Sequence, residues 1–595
     1  MSTYAAPVKD MQFVIKELVG LDQVSAMPEC AEVSADLVDA VLAEASRFAT
    51  AVLDPLNRSG DQEGVRLVDG KVIVPQGFSE AYRQFVAGGW NGLAGETAFG
   101  GQGLPHVVAM PVQEMWNSAN MAFCLCPMLT SGVLEALRLR GSAAQQKLFL
   151  PKLTSGEWCG TMNLTEPQAG SDLSAVRARA RPEGDHYRIH GTKIFITWGE
   201  HDMAENIIHL VLARLPDAPE GVKGISLFIV PKFLVNGDGS LGARNDAYCV
   251  SIEHKLGIHA SPTAVMAYGD NGGATGYLIG KANDGLKYMF IMMNAARFAV
   301  GLEGLALSER AYQQALAYAK DRVQGRAIEG SAEGVPIVRH PDIRRMLMLM
   351  KSQIEAMRAL GYTVAAAIDT VIKHPDEAER KKNLAFVELM IPVVKGWLTE
   401  TGIEVASLGV QIHGGMGYIE ETGAAQHLRD ARITTIYEGT TGIQANDLLG
   451  RKILKDGGAT LKAVGEMMQQ TLAELDKQPG EEFAAIKAAF ARGLGALAEA
   501  GTFIATNAAK DLRGSFVGAV PFLKLMGIVA GGWMMARAAL AAQAKISSGD
   551  TDAFYPAKIT TARFYADHVL SAAPGLAYTV RHGAAGALAL PEDQF

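Results

Sequence analysis

A block of short β-branched runs in the middle of the chain limits its possible folds more than any other feature. Runs such as YRIHGTKIFITWG, NIIHLVLARL and ISLFIVPKFL are broken by glycine, proline and asparagine. Short runs of this composition are typical of β-strands. The sequence on either side instead repeats apolar residues at three- and four-residue spacing, as amphipathic helices do. The middle of the chain is therefore predicted to be β and both flanks helical.

Chain length and these changes in pattern together predict four domains. At 595 residues the chain is too long for one core, because domains commonly hold about 100–200 residues. We place an N-terminal helical domain at residues 1–155, an antiparallel β domain at 156–280, a helical bundle at 281–455 and a helical extension at 456–595. The predicted fold class is α+β.

Composition and charge exclude several classes of function. Lys and Arg number 55 against 63 Asp and Glu, mixed along the chain, so the concentrated basic face that nucleic acid requires is missing. The N-terminus lacks a basic segment followed by an apolar core, so we predict no signal peptide. The most membrane-like stretch, LMGIVAGGWMMA, is shorter than the about 20 residues of a spanning helix. We therefore expect a soluble, cytoplasmic protein with no membrane span and no nucleic-acid partner.

Familiar catalytic and metal motifs are missing from the sequence. It contains no G-x-x-x-x-G-K-[ST] nucleotide loop, no G-x-S-x-G hydrolase elbow and no HExxH helix. Cys124 and Cys126 form a C-x-C pair, but no second cysteine pair has zinc-site spacing. We interpret the five cysteines as small buried apolar residues and predict no metal site.

Stretches that could carry chemistry instead follow one another in a fixed order. They are MNLTEPQAGSD (162–172), KIFITWG (193–199), NAARFAVG (294–301), YAKDRVQGR (318–326), QIHGGMGYIEE (411–421) and HLRDARITTIYEGTTGIQ (427–444). One such motif is weak evidence, whereas the whole ordered set is specific. Over about residues 40–455 the set resembles the acyl-CoA dehydrogenase family of FAD flavoproteins.

The resemblance implies a fold and a reaction. The fold is a helical domain, a β domain and a helical bundle, to which this chain adds the extension. The reaction converts an acyl-CoA to its trans-2-enoyl-CoA: a base removes the α-proton while the β-hydrogen leaves as hydride to flavin N5. Electron-transfer flavoprotein is the implied electron acceptor, and a homodimer or dimer of dimers is the implied assembly.

Glu438 is the residue that the resemblance makes the base. It lies in IYEGT, which resembles the straight-chain branches of the family and disfavours branched substrates. An acyl-CoA α-proton becomes acidic enough only when the thioester carbonyl is polarised. By hypothesis, desolvation under the acyl chain raises the pKa of Glu438 in the complex and strengthens it as a base. The alternative is a structural or surface glutamate.

The remaining site residues are assigned by the same resemblance. The resemblance implies FAD contacts at the flavin ring from Met162, Leu164, Thr165, Phe195 and Thr197, and at the diphosphate or adenosine half from Arg322, Gln324, Gln411, Gly414, Gly415 and Thr440. For Gly170 and Ser171 the implied ligand is the flavin pyrophosphate or the CoA of the substrate. Substrate is contacted by Ser171, Asn294, Arg297 and Gly439. Because Arg322 and Gln411 match residues that reach the flavin of a neighbouring subunit, the implied site is completed only in a dimer. Taken alone, the threonines could be ordinary strand residues and Arg322 a solvated charge.

Three residues that differ from the common pattern of the family bear on which acyl-CoA is the substrate. Gln324 replaces a common aromatic residue, Asn294 a common aspartate and Gly442 a common glutamine. With the extension, they resemble a bacterial subgroup that contains fatty acyl-CoA and 3-(methylthio)propanoyl-CoA dehydrogenases. We expect a straight-chain acyl-CoA of medium to long length, with 3-(methylthio)propanoyl-CoA as the alternative. An oxidase of the same fold and a non-catalytic binding or assembly protein are further alternatives.

Overall fold

Residues 3–595, which the computed structural model describes, divide into two units. The first contains the N-terminal segment to Ser46, Pro105–Ser118 and Val300–Phe595, and all its regular elements are helices. The second contains Arg47–Leu104 and Ala119–Ala299 and includes every described strand. The four domain boundaries predicted from the sequence stay a prediction.

Helices form most of the chain on both sides of the β region, as predicted. α7 shows how one begins: the Ser142 hydroxyl accepts from the Gln145 backbone and the Gln145 side chain accepts from the Ser142 backbone, a capping box. In chain order the helices are α1 (Val8–Phe13), α2 (Leu21–Ser25), α3 (Ala35–Phe48), α4 (Asp54–Glu63), α5 (Phe78–Ala87), α6 (His106–Arg140), α7 (Ala143–Ser155), α8 (Gly285–Asp321), α9 (Pro341–Lys373), α10 (Glu377–Ile412), α11 (Ala424–Ala431), α12 (Thr441–Asp447), α13 (Ala459–Leu475), α14 (Glu481–Asn507), α15 (Leu512–Val517), α16 (Ala519–Ser547), α17 (Phe554–His568) and α18 (Ala573–Ala587).

Strands occupy the predicted middle region, together with one hairpin nearer the N-terminus that the sequence analysis missed. That hairpin is β1 with β2, and it pairs Leu67 with Val72. In chain order the strands are β1 (Arg66–Val68), β2 (Lys71–Ile73), β3 (Trp158–Asn163), β4 (Arg179–Glu183), β5 (His186–Thr197), β6 (Asn206–Ala213), β7 (Ser226–Pro231), β8 (Phe233–Val235), β9 (Leu241–Arg244), β10 (Ala247–Ile252), β11 (Thr263–Tyr268) and β12 (Ala274–Leu278).

The main sheet has eight strands in the order β10-β11-β5-β12-β7-β6-β3, with β4 also paired to β5. Its pairs are antiparallel except β3 with β6, which run parallel with Cys159 opposite Ile207. The connection from Asn163 to Asn206 permits this, since a parallel pair needs a crossover of about a dozen or more residues. The predicted antiparallel β domain is confirmed, with this one parallel pair as the difference.

The core of the second unit lies on both faces of this sheet. All residues of β6 and β7 are buried, which explains their nearly continuous apolar sequences. One face packs on helical side chains such as Val133 and Met292, and the other includes Phe228 and Tyr268. Full burial stabilises such a side chain by about 1.5–3 kcal/mol. Truncating buried Leu210 to alanine would therefore cost about 2–5 kcal/mol, cavity included.

In the first unit, the extension packs directly on the preceding helical bundle. A Cβ on Gly527 of α16 would meet Cγ of Trp397 of α10 at 2.2 Å, and one on Gly531 would meet the Tyr565 hydroxyl at 2.3 Å. Glycine at these positions lets α16 approach both neighbours closely. Among the described helices, α6, α8 and α16 are long and apolar enough to cross a membrane by length and composition alone. In α16, 83% of the apolar window is buried within the fold.

A buried ion network ties the N-terminal helix to the rest of the first unit. Arg358 of α9 donates to Glu114 at 2.6 Å, to Glu309 at 2.7 Å and to Asp10 at 2.5 Å. Lys558 of α17 also pairs with Asp10. Burial opposes ionisation of Asp10, but the charges of Lys558 and Arg358 outweigh it and hold the pKa of Asp10 below its usual value. Helices far apart in sequence are thus joined by charge as well as by packing.

Candidate active site

The residues predicted to contact the flavin ring lie on two adjacent segments of the second unit. One is the end of β3 and the loop after it; the other is the end of β5. The backbone N–H of Ile194 donates to the carbonyl oxygen of Thr165 at 2.9 Å and joins the segments. The predicted residues on these segments are Met162, Leu164, Thr165, Phe195 and Thr197.

A buried ion pair fixes these two segments together. Nζ of Lys193, which is fully buried, donates to Oε1 of Glu166 at 2.8 Å and to the carbonyl oxygen of Leu164 at 3.0 Å. Glu166 also accepts backbone N–H bonds from Arg177 at 2.7 Å and Ala178 at 3.0 Å. Burial lowers the pKa of Lys193 to about 8, although Glu166 opposes it. Burial alone would raise the pKa of Glu166, but Lys193 and the backbone bonds hold it below its usual value.

Sequence reasoning missed this pair as part of the site. Both residues stand inside quoted motifs, Glu166 in LTEPQAGSD and Lys193 in KIFITWG. The sequence therefore did contain a signal for an ion pair. A lysine and a glutamate within apolar, strand-like segments each need a partner if they are buried. Their mutual distance could not be read from the sequence.

The ends of these segments present groups that suit a planar aromatic cofactor. The Phe195 side chain is 59% exposed and its φ of +59° lies in the left-handed region. Within residues 3–595, the hydroxyls of Thr165 and Thr197 make no hydrogen bond to protein. An exposed aromatic ring beside two available hydroxyls fits the flavin, which needs ring packing and hydrogen bonds along its polar edge.

The other site residues predicted in the second unit have surroundings that do not point to a particular ligand. Gly170 and Ser171 lie in an exposed loop, and a Cβ on Gly170 would meet no atom within 4 Å. Asn294 and Arg297 lie on α8, the first exposed and the second buried. Their assignments to a phosphate and to substrate stay predictions.

In the first unit, Glu438 occupies a strained turn before α12. Its φ is +54° and that of Gly439 is +90°; a non-glycine residue in such a conformation costs about 1–3 kcal/mol. Nε2 of Gln444 donates to the carbonyl oxygens of Glu438 at 3.1 Å and Gly439 at 3.3 Å and so holds the turn. A Cβ on Gly439 would lie 2.7 Å from that nitrogen. Glycine is therefore required after Glu438, which is itself only partly buried.

Thr440 and Thr441 fix the other side of this turn. The Thr440 hydroxyl accepts the backbone N–H of Ile443 at 3.3 Å and caps α12. The Thr441 hydroxyl donates to Oε1 of Glu400 at 2.5 Å, which ties the turn to α10. Because Thr440 acts as an acceptor in the cap, its own proton remains available to a ligand such as the predicted diphosphate.

A second carboxyl lies beside the Glu438 turn, and the sequence analysis missed it. Glu303 of α8 is fully buried, and the hydroxyl of Tyr437 donates to its Oε2. Burial raises the pKa of Glu303 to about 8; the Tyr437 bond and the charge of Lys395 oppose the rise, and the charge of Glu438 adds to it. The available signal was a single glutamate within the small and apolar run RFAVGLEGLAL.

Five of the six residues predicted for the diphosphate and adenosine half lie where α8 and α10 end; the sixth, Thr440, caps α12. The rings of Tyr318 and His413 stack there with centroids 4.4 Å apart, so the two helix ends are neighbours. Arg322 follows α8, and its side chain is exposed. Positions 414 and 415 are open, since a Cβ there would meet no atom within 4 Å. The structure thus brings together these predicted residues: Arg322, Gln324, Gln411, Gly414 and Gly415.

These helix ends also expose apolar side chains. Tyr418 is 87% and Ile328 83% exposed, and Val323, Met416 and Ile419 are exposed as well. Exposed apolar groups clustered in one region commonly mark an interaction surface. We call these five residues the apolar rim.

Three buried side chains in the second unit could in principle hold a metal ion: Cys126, Cys159 and His201. Their arrangement is that of a hydrogen-bonded cluster, with Sγ of Cys126 3.4 Å from Sγ of Cys159 and 4.0 Å from Nε2 of His201. Nδ1 of His201 also accepts the Met203 N–H at 3.2 Å, a further hydrogen bond of this cluster. All five cysteines are buried, as interpreted from the sequence.

Comparisons with known proteins identify the family. The acyl-CoA dehydrogenase N-terminal, middle and C-terminal domain models match residues 38–157, 161–268 and 283–453. A fourth model, acetyl-CoA dehydrogenase C-terminal like, matches residues 464–591, which the extension contains.

Two curated relatives extend over almost the whole chain. The 3-methylmercaptopropionyl-CoA dehydrogenase of Ruegeria pomeroyi is 52% identical over 576 residues, 96% of each chain. The broad-specificity linear acyl-CoA dehydrogenase FadE5 of Mycobacterium tuberculosis is 34% identical over 592 residues, again 96% of each.

A solved structure shares the fold. The acyl-CoA dehydrogenase from Bacillus anthracis, complexed with FAD, superposes with a TM-score of 0.73 at 20% identity and covers 98% of this chain and 93% of its own. The predicted fold class and the resemblance are confirmed. This chain belongs to the acyl-CoA dehydrogenase family, whose members are FAD-dependent oxidoreductases that act on CH–CH bonds.

Proposed function

We propose that this chain oxidises 3-(methylthio)propanoyl-CoA, or a thioester of closely similar size, to the corresponding 2-enoyl-CoA. The observation that carries the proposal is the 52% identity to 3-methylmercaptopropionyl-CoA dehydrogenase over 96% of both chains. The relative with broad specificity for linear acyl-CoAs is 34% identical over a similar span. A straight-chain acyl-CoA of medium to long length, the substrate predicted from the sequence, is less well supported than 3-(methylthio)propanoyl-CoA.

In the proposed reaction Glu438 is the base. Its carboxylate takes the α-proton, and the backbone N–H of the same residue polarises the thioester carbonyl as negative charge develops on the oxygen. The left-handed turn held by Gln444 keeps this backbone and side chain in one arrangement. Bound FAD supplies the acceptor for the β-hydride.

The residues that would hold FAD act by shape and hydrogen bonding. Phe195 offers an exposed ring surface, and Thr165 and Thr197 offer hydroxyls that make no hydrogen bond to another residue in 3–595. The Lys193–Glu166 pair holds these groups in place before cofactor binds, which reduces the ordering cost of binding. Arg322 suits a phosphate because a guanidinium pairs two oxygens at once.

We also propose that the chain works as a homodimer or a dimer of dimers. Apolar rim residues up to 87% exposed would be covered by a second copy, and they flank Arg322 and Gln411, which the family resemblance directs toward a neighbour's flavin. Electron-transfer flavoprotein is the proposed electron acceptor. The cytoplasmic location predicted from the sequence is part of the same proposal.

Steady-state kinetics with a panel of thioesters test the substrate. We expect kcat/KM for 3-(methylthio)propanoyl-CoA to exceed that for octanoyl- and palmitoyl-CoA by at least about tenfold, or 1.4 kcal/mol of discrimination. Pentanoyl-CoA, in which a methylene replaces the sulfur, is the control for size without sulfur. A higher kcat/KM with octanoyl- or palmitoyl-CoA would instead indicate that the substrate is a medium- to long-chain fatty acyl-CoA. Flavin reoxidation by air at a rate that matches turnover would instead indicate an oxidase.

A further inference from the structure

Glu303 lies where α8 and α10 approach so closely that water is excluded. A Cβ on Gly301 would meet Cγ1 of Val394 at 2.6 Å, and one on Gly304 would meet the carbonyl oxygen of Leu398 at 2.5 Å. The glutamate between these two glycines is fully buried. Its only described hydrogen bond is the one that Oε2 accepts from the Tyr437 hydroxyl, and Oε1 is buried without a hydrogen-bond partner among the described residues.

Tyr437 is the residue immediately before Glu438. The Glu303–Tyr437 bond therefore anchors one side of the strained turn, while Gln444 anchors the other side through the carbonyl oxygens of Glu438 and Gly439. Displacements of about 1 Å at a reacting group can cost about a hundredfold in rate. Both anchors therefore help to determine the position of the Glu438 carboxylate.

We propose that Glu303 is a positioning residue for Glu438, and that it holds the Tyr437 hydroxyl as an uncharged carboxylic acid. This inference rests on the proposed role of Glu438 as the base. Glu303 itself does not touch substrate or cofactor in the proposal. A neutral Glu303 places no second negative charge beside Glu438, the proposed base.

The groups that face Glu303 explain its neutral state. Lys395 of α10 favours the charged form, as does the Tyr437 bond, whereas Glu438 and the burial itself favour the neutral form. A fully buried carboxyl with a single hydrogen bond gains little from ionising. Two carboxylates that share one site also resist being charged together. Burial outweighs the opposing groups and brings the pKa of Glu303 to about 8.

Ionisation of Glu303 would therefore mark the alkaline limit of activity. A second negative charge near the turn opposes the charge that develops on the thioester oxygen and repels Glu438 itself. We expect the rate of substrate-dependent flavin reduction in wild-type holoenzyme to fall as pH rises through about 8. In the E303Q holoenzyme the amide oxygen still accepts from the Tyr437 hydroxyl, but the amide does not titrate. The fall in rate above about pH 8, which we call the alkaline limb, should therefore be absent in E303Q. Its kcat at neutral pH should fall by no more than about threefold.

The matched control is E309Q. Glu309 lies on the same helix and is similarly buried, but it pairs with Arg358 and has no described hydrogen bond to the Glu438 turn. E309Q should keep the alkaline limb. Y437F removes the anchoring hydroxyl without changing Glu303 and should lower kcat by about tenfold with KM changed less than about twofold. An alkaline limb retained in E303Q, or Y437F kinetics like wild type, would overturn the proposal.

Folding stability gives a readout that does not depend on turnover. A carboxyl whose pKa is higher in the folded than in the unfolded state contributes stability that is complete below its unfolded pKa of about 4.5 and is lost as pH rises through about 8. The melting temperature of wild-type holoenzyme should therefore decline relative to that of E303Q between pH 5 and pH 9. A constant difference across this range would contradict a neutral Glu303. Failure of the base assignment is distinguishable, because E438Q would then turn over while the stability difference persisted.

Discussion

Nζ of Lys193 lies 2.8 Å from Oε1 of Glu166, and this buried pair joins the loop after β3 to β5. Its removal tests how far the flavin-ring residues depend on it. Replacing Lys193 with methionine leaves Glu166 buried without its cation, which commonly costs about 3–5 kcal/mol. We expect K193M to lower the free energy of unfolding in urea by that amount and to weaken FAD retention.

The double variant K193M/E166Q is the control, because it removes both charges. It should recover part of the lost stability. A K193M protein within about 1 kcal/mol of wild type would show that the pair contributes little, as exposed pairs do.

Gly439 provides a prediction about the turn that carries the proposed base. Alanine there must adopt a φ of +90° and place its Cβ 2.7 Å from Nε2 of Gln444. We expect G439A to lose about 1–3 kcal/mol of stability and about a hundredfold in kcat, measured by thermal unfolding and by flavin reduction.

Gly442 is the matched control on the neighbouring helix. A Cβ at that position meets only the Thr440 hydroxyl, at 3.8 Å, so G442A should be neutral or stabilising by about 0.5–1 kcal/mol. Equal effects of the two substitutions would contradict the geometric account of the turn.

The lowered pKa of Asp10 leads to a prediction about how the folding stability of the first unit changes at low pH. Because Lys558 and Arg358 lower the pKa of Asp10 in the folded state despite its burial, its contribution is complete above the unfolded value of 3.8 and is lost as pH falls toward the lower folded value. We expect D10N to be less stable than wild type at pH 6, with a gap that narrows below about pH 4. Thermal melts across this range measure the gap. The exposed Asp36 offers a control, since D36N should show no such trend, and a gap independent of pH in D10N would refute the linkage.

The exposed apolar rim leads to a prediction about the oligomeric state of the protein. An aspartate in place of Tyr418, which is 87% exposed, would put a charge into the proposed subunit contact. We expect Y418D to sediment as a smaller species than wild type and to retain less FAD, because the resemblance completes the flavin site from a neighbour. Y578D, at a tyrosine 66% exposed on α18, should change neither property. A wild-type chain that sediments as a monomer with full FAD content would contradict the proposed assembly.

Much of the fold could be predicted because it follows from local patterns. The continuous apolar runs of β6 and β7 indicate buried strands because they are short, rich in β-branched residues and bounded by turn residues, and helix spacing indicates α9 and α10. The β1–β2 hairpin was missed although Asp69 and Gly70 both have positive φ, as Asp-Gly turns in hairpins commonly do. Its strands are only three residues long, too short for a periodic signal.

The site could be predicted only where residues fall in recognisable motifs. Thr165, Thr197 and Glu438 were found through their neighbours in sequence and not through their surroundings in space. The partners that position them are distant along the chain: Glu303 is 134 residues from Tyr437, and Lys193 is 27 residues from Glu166. Sequence spacing carries no information on such pairings, because they depend on how helices and strands pack.

The most direct test of the central claim is anaerobic flavin reduction in the E438Q holoenzyme. Glutamine keeps the size of the side chain and the backbone N–H but cannot accept the α-proton. On mixing with 3-(methylthio)propanoyl-CoA, wild type should bleach its flavin absorbance rapidly. E438Q should bind FAD, stay yellow and reduce its flavin at least about a thousandfold more slowly. Bleaching of E438Q at a rate close to wild type would contradict the assignment of Glu438 as the base.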